Sequence, residues 1–106
     1  MYQASRLISD PFNKLIYLIE GICDVGEEQD TEIYDDVSMA IQKPAICIEV
    51  NHNKIKEFYY FRSVGWQSTI LIRVHFINDR WETAHCEKNP SNERLSEILK
   101  KGKQLL

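Results

Sequence analysis

Cysteine is scarce in this chain, and what there is does not pair. Cys23, Cys47 and Cys86 are odd in number and no two stand in a C-x-x-C pair. That excludes a disulfide framework and a structural zinc knot, and it suits a reducing cytoplasm. Long apolar runs are missing too. Stretches such as Leu15–Ile19 and Ile70–Ile72 are far below the ~20 residues that cross a bilayer as a helix. The N-terminus has Arg6 but neither an apolar core segment nor a small-residue cleavage site, so no secretory signal is expected. The usual catalytic and nucleotide-binding signatures are absent: no G-x-x-x-x-G-K-[ST], no G-x-G-x-x-G, no H-E-x-x-H, no G-x-S-x-G. No metal site and no cofactor are expected from the residues.

What remains is ordinary globular composition. With 106 residues, 43% hydrophobic and 27% charged, the chain supports one packed core and is too short for two. The expected fold is a single α+β domain over residues 1–106: two N-terminal helices, a four-stranded antiparallel meander sheet and a C-terminal helix. Asp10-Pro11 reads as a helix opening, a capping carboxylate followed by proline at the first turn. Phe12, Leu15, Ile16, Ile19 and Ile22 follow at helical spacing, with Gly26 as the stop. A second helix fits Thr31–Lys43, with Ile33, Val37, Ala40 and Ile41 on one face and Pro44 at its end.

Four strand patterns come next: Ala45–Val50, Phe58–Phe61, Thr69–Ile77 and Arg80–Glu87. Asn51–Lys54, Gly65 and Asn78-Asp79 supply the reversals, and such short turns imply an antiparallel meander. Asn89-Pro90 repeats the helix opening, Leu95, Ile98 and Leu99 define the last helix, and Gly102 can end it. Cys47 and Cys23 read as small core residues, Cys86 less clearly so.

Charge is divided along the chain. Residues 1–53 carry a net −7 and residues 54–106 a net +4. Either one basic face awaits a phosphate ligand, or acidic loops and a lysine-rich last helix simply offset one another. Arg62, Arg80, Lys54 and Lys56 are the candidate RNA-binding cations of the basic half.

The sheet offers the only chemistry. Arg73 and His75 are two apart on a strand and share one face, so a guanidinium can hold a phosphate beside an imidazole that moves a proton. The register of the Asn78-Asp79 hairpin decides what joins them. A two-residue loop sets His75 opposite Glu82 and Arg73 opposite Ala84. A three-residue loop sets His75 opposite Thr83 and Arg73 opposite His85, gathering Arg73, His75, Thr83 and His85 on one surface. A slip of one residue flips a strand's side chains, and the preference of hairpins for two-residue loops favours the first. Phe58, Tyr59, Tyr60, Phe61, Trp66, Phe76 and Trp81 either fill the core or offer a platform on which bases stack.

The run Asp36–Ile46, the aromatic segment Phe58–Phe61, Leu71-Ile72-Arg73-Val74 and Trp81-Glu82-Thr83-Ala84-His85 together resemble the Barnase–EndoU–colicin–RelE-like nucleases, in particular their phage and bacterial branches. The likeness covers about residues 33–87. It implies metal-independent cleavage of RNA by attack of a ribose 2′-hydroxyl on the adjacent phosphate, as in a small toxin. Thr83 and Arg73 match family positions that face substrate, and His75 and His85 complete the candidate catalytic set. The sequence departs from the family in its N-terminal part, where a catalytic His, often with an Arg, is usual: residues 7–51 hold neither. The alternative expectation is therefore a non-catalytic relative, an immunity-like or regulatory module that binds a protein partner through its acidic N-terminal half.

Overall fold

A computed structural model describes residues 4–19 and 31–106. In chain order it contains β1 (Ala4–Ser9), β2 (Leu15–Ile19), α1 (Thr31–Gln42), β3 (Ile46–His52), β4 (Ile55–Gly65), β5 (Ser68–Ile77), β6 (Arg80–Lys88), α2 (Asn92–Lys101) and β7 (Lys103–Gln104). The strands form one seven-stranded sheet in the order β1-β2-β6-β5-β4-β3-β7. All neighbours are antiparallel except β2 and β6, which run parallel. The expected meander is present as β3-β4-β5-β6. The expected fold as a whole is not: the sheet is seven-stranded and mixed, and among the described residues a strand pair and one helix, not two helices, precede the meander.

The first expected helix is a β-hairpin instead. Asp10 does accept hydrogen bonds from downstream amides, those of Phe12 (2.9 Å) and Lys14 (2.8 Å). It does so to close a turn. The Asn13 amide donates to the Asp10 carbonyl at 3.2 Å, the Asp10 amide to the Lys14 carbonyl at 3.0 Å, and Asn13 has φ 65°. Pro11 thus sits at the second position of a reversal, where its fixed φ serves as well as in a helix. Beyond the turn, the buried residues are Ile16 and Leu18, two apart, and Ile8 on the facing strand joins them. A short apolar run satisfies both periods, and a free sheet edge at β6 selects the strand. Ile22 and Gly26 of the expected helix lie outside the described residues.

The second helix forms as expected. α1 buries Val37, Ala40 and Ile41 against Cys47, Tyr60, Ile70 and Ile72 on one face of the sheet. Each fully buried aliphatic side chain here contributes about 1.5–3 kcal/mol. The other face carries a smaller core, Ile48, Val50, Tyr59 and Leu71, capped by Ile98 and Leu95 of α2. One helix therefore lies on each side of the sheet. Among the described residues, no helix is long and apolar enough to cross a membrane.

The start of α2 corrects a further detail. Its cap is Ser91, whose side chain accepts from the Arg94 amide at 3.1 Å, not Asn89. Asn89, at φ 50°, exchanges hydrogen bonds with Thr69 across the sheet. Gly102 ends the helix with an extended backbone, and its small size is needed for another reason. A Cβ there would lie 2.6 Å from the Glu49 carbonyl oxygen and 2.8 Å from a Val50 methyl, because the chain turns directly onto β3 to make β7.

Candidate functional site

The β5–β6 hairpin carries the expected residues, and its register combines the two alternatives. Asn78 and Asp79 both adopt positive φ, 54° and 61°, forming a two-residue loop. Ile77 faces Arg80, Phe76 faces Trp81, His75 faces Glu82 and Val74 faces Thr83. The register then shifts: Arg73 faces His85 and Ile72 faces Cys86, so Ala84 is the extra residue of a β-bulge. Below the bulge the pairing is that of a two-residue loop; above it, that of a three-residue loop.

The bulge separates Thr83 from the other expected catalytic residues. Thr83 is buried beside Val74 on the α1 face, and its hydroxyl accepts the Ile19 amide hydrogen at 2.9 Å. It ties β2 to β6 and does not reach the surface that holds Arg73, His75 and His85. These three share the α2 face with Glu57, opposite His75, and Tyr59, opposite Arg73. Among the described residues α2 is the element packed on this face, and it lies over β3 and β7. His85 is exposed, while Arg73 and His75 are half-buried.

Carboxylates accompany these cations. Arg73 Nε is 3.7 Å from Glu57 Oε2, near enough for charge attraction and too far for a hydrogen bond. Arg80 pairs with Glu82 and lays its guanidinium over the Tyr17 ring, 4.4 Å from the centroid. Arg94 of α2 reaches Glu87 at 3.4 Å. Of the expected RNA-binding cations, only Arg80 lies beside the histidines. Arg62 points to the other side and donates to the Lys43 carbonyl at the end of α1, at 2.6 Å. Lys54 and Lys56 line a cleft with Phe76 and Trp81 on the α1 face. Among the described residues no cluster of three His, Cys, Asp or Glu side chains could hold a metal ion.

Among the described residues, the most heavily buried charge escaped sequence reasoning. Asp10 is 4% exposed, and its Oδ2 accepts the Tyr60 hydroxyl hydrogen at 2.6 Å and a Lys14 Nζ hydrogen at 2.9 Å. The Lys14 ammonium also lies 3.9 Å from the Phe58 ring centroid. Burial pushes the Asp10 carboxyl up, but hydrogen bonds from Tyr60 and Lys14 and the Lys14 charge outweigh it, leaving the group below its ordinary value. Burial, then the hydrogen bond to Asp10, pushes the Tyr60 hydroxyl up. Burial, then the Asp10 charge, pushes the Cys47 thiol up to about 12. A phenol and a thiol so held stay protonated, which makes this cluster a strut between the β1–β2 hairpin and β4. Asp10 and Tyr60 are fifty residues apart, and nothing in the sequence pattern joins them.

No protein-family model matches this sequence, and no curated protein and no solved structure is similar enough to it to count as a match.

Proposed function

We propose that this chain is an RNA-directed domain that works from the α2 face of the sheet and cleaves phosphodiester bonds without a metal ion. One observation carries the reading. The bulge at Ala84 sets His85 opposite Arg73, and therefore on the same face as His75. A plain two-residue hairpin would have turned His85 into the core. In this reading the Arg73 guanidinium holds the phosphate. One imidazole takes the ribose 2′-hydroxyl proton as that oxygen attacks phosphorus, and the other gives a proton to the departing 5′-oxygen. Glu57 and Glu82, the cross-strand neighbours of His75, are placed to steer its ring. Thr83 has no part in the chemistry. The resemblance of residues 33–87 to the nucleases named above supports the same activity. The test incubates mixed RNA with purified protein in EDTA. Wild type should cleave, and His75→Ala and His85→Ala should each lose about 10²–10⁴ in rate with unchanged circular dichroism. Intact RNA with the wild type, or equal cleavage by all three, refutes the proposal.

A second reading has an observation of its own. Arg73, Arg80 and Arg94 each meet a carboxylate, from Glu57, Glu82 and Glu87, so much of the positive charge on this face is balanced before a phosphate arrives. That favours a non-catalytic module of immunity or regulatory type, taking a protein partner through the acidic N-terminal half. In that half a cleft of about 630 Å³ lies between Leu7 and Ile8 of β1 and Asp35, Ser38, Met39 and Gln42 of α1. Failure of the wild type to cleave or to bind RNA at low salt selects this reading.

A further inference from the structure

The end of the sheet remote from α1 holds two lysines and two aromatic rings that neither reading uses. We infer that this end, on the face opposite Arg73 and His75, is a stacking site for an unpaired base of single-stranded RNA; the inference rests on the RNA-directed reading. Phe58 and Val74 are partners in the core, and Lys56 and Phe76, two residues further out on each strand, continue their face. Trp81 is Phe76's partner on β6. Trp81 is fixed from behind by Phe58, with ring centroids 5.1 Å apart and planes at 68°. Phe76 meets Trp81 at 5.1 Å and 70° yet is 50% exposed, an apolar ring left facing water near the turn end of the β5–β6 hairpin.

A cleft of about 390 Å³ opens there, lined by Lys54, Ile55, Lys56, Phe76 and Trp81, within the size range of small-ligand sites. The β3–β4 turn, with Asn53 at φ 47° and Lys54 at φ 71°, is a tight two-residue loop. Lys56 is 3.5 Å from Glu49, but its side chain is 49% exposed, and such pairs yield readily to a competing anion. A half-exposed phenyl ring beside a tryptophan, with ammonium groups at the rim, matches a planar base carried on an anionic backbone. A duplex hides its base faces in its own stack, which leaves single strands. Two lysines, both on the β3–β4 hairpin at the rim of the cleft, provide for more than one phosphate, and a strand supplies them.

The chain has two tryptophans, so Trp66→Phe leaves Trp81 as the sole reporter; Trp66 is 88% exposed at the β4–β5 turn. The probe is a short 2′-O-methyl oligouridylate, which lacks the attacking hydroxyl and cannot be cleaved by it. It should quench Trp81 fluorescence saturably, and Phe76→Ala should weaken binding roughly five- to a hundredfold. Lys54→Gln and Lys56→Gln should each flatten the log–log salt dependence by about 0.7. An abasic strand that binds equally well overturns the inference, as does uridine monophosphate binding as tightly as the strand. Absence of any quench also overturns it. The quenching, abasic-strand and monophosphate arms leave Lys54, Lys56, Phe76 and Trp81 unaltered, so they stand even if a substitution at the site misfolds. Cleavage of RNA without quenching would sink the stacking site and leave the catalytic proposal intact; quenching without cleavage would do the reverse.

Discussion

Tyr60→Phe removes one oxygen and leaves the ring in place, and it isolates the contribution of the Asp10 strut. The lost hydroxyl donates to a buried carboxylate at 2.6 Å. Hydrogen bonds to charged groups contribute about 1.5–3 kcal/mol, so a loss of about 2 kcal/mol is expected at neutral pH. With an unfolding entropy of about 2.1 cal/mol/K per residue, that loss lowers Tm by roughly 9 °C. Lys14 still bonds the same oxygen at 2.9 Å, so the carboxylate is not orphaned and the loss should stay below the 3–5 kcal/mol typical of breaking a buried ion pair. The pH dependence follows from the direction of the shift. Asp10 in the folded protein lies below its ordinary 3.8, so its contribution is complete above that value and disappears as pH falls through the folded pKa. Urea unfolding of wild type and Tyr60→Phe should therefore give a constant gap from about pH 5 to 8 that narrows below about pH 4. A gap under about 0.5 kcal/mol at pH 7, or one that does not narrow in acid, would refute the strut.

Thr83→Val should cost about 1–3 kcal/mol, because it leaves the Ile19 amide without its acceptor; faster hydrogen exchange at Ile19 would show it, and unchanged exchange would count against the β2–β6 tie. Gly102→Ala should destabilise by about 1–3 kcal/mol through collision with the β3 backbone, read from the urea midpoint. In a Cys23→Ser, Cys86→Ser background, Cys47 should resist a thiol reagent at pH 8 and react only on adding urea, because its thiol is pushed up to about 12 by burial and the Asp10 charge. Rapid native labelling would contradict that placement.

Local chemistry determined a good deal of this protein. Val37, Ala40 and Ile41 at helical spacing made α1, and Pro44 closed it. The alternation Ile70, Ile72, Val74 made β5, with all three buried on one face. Asn78-Asp79 carried the left-handed turn that a two-residue hairpin needs. Those features depend on neighbours a few residues apart, and a single sequence displays such neighbours. The identity of Leu15–Ile19 did not follow, because five apolar residues satisfy helix and strand alike until a sheet edge is there to accept them. The bulge at Ala84 was equally hidden. Either register buries a plausible set of side chains on β6, and only packing against Ile72 and Val74 sends both Thr83 and Cys86 inward. That one extra residue puts Thr83 in the core and His85 beside Arg73. Asp10 illustrates the same limit: the sequence shows a carboxylate before a proline, and only the folded chain brings Tyr60 and Lys14 to it, since burying a charge requires partners from distant segments.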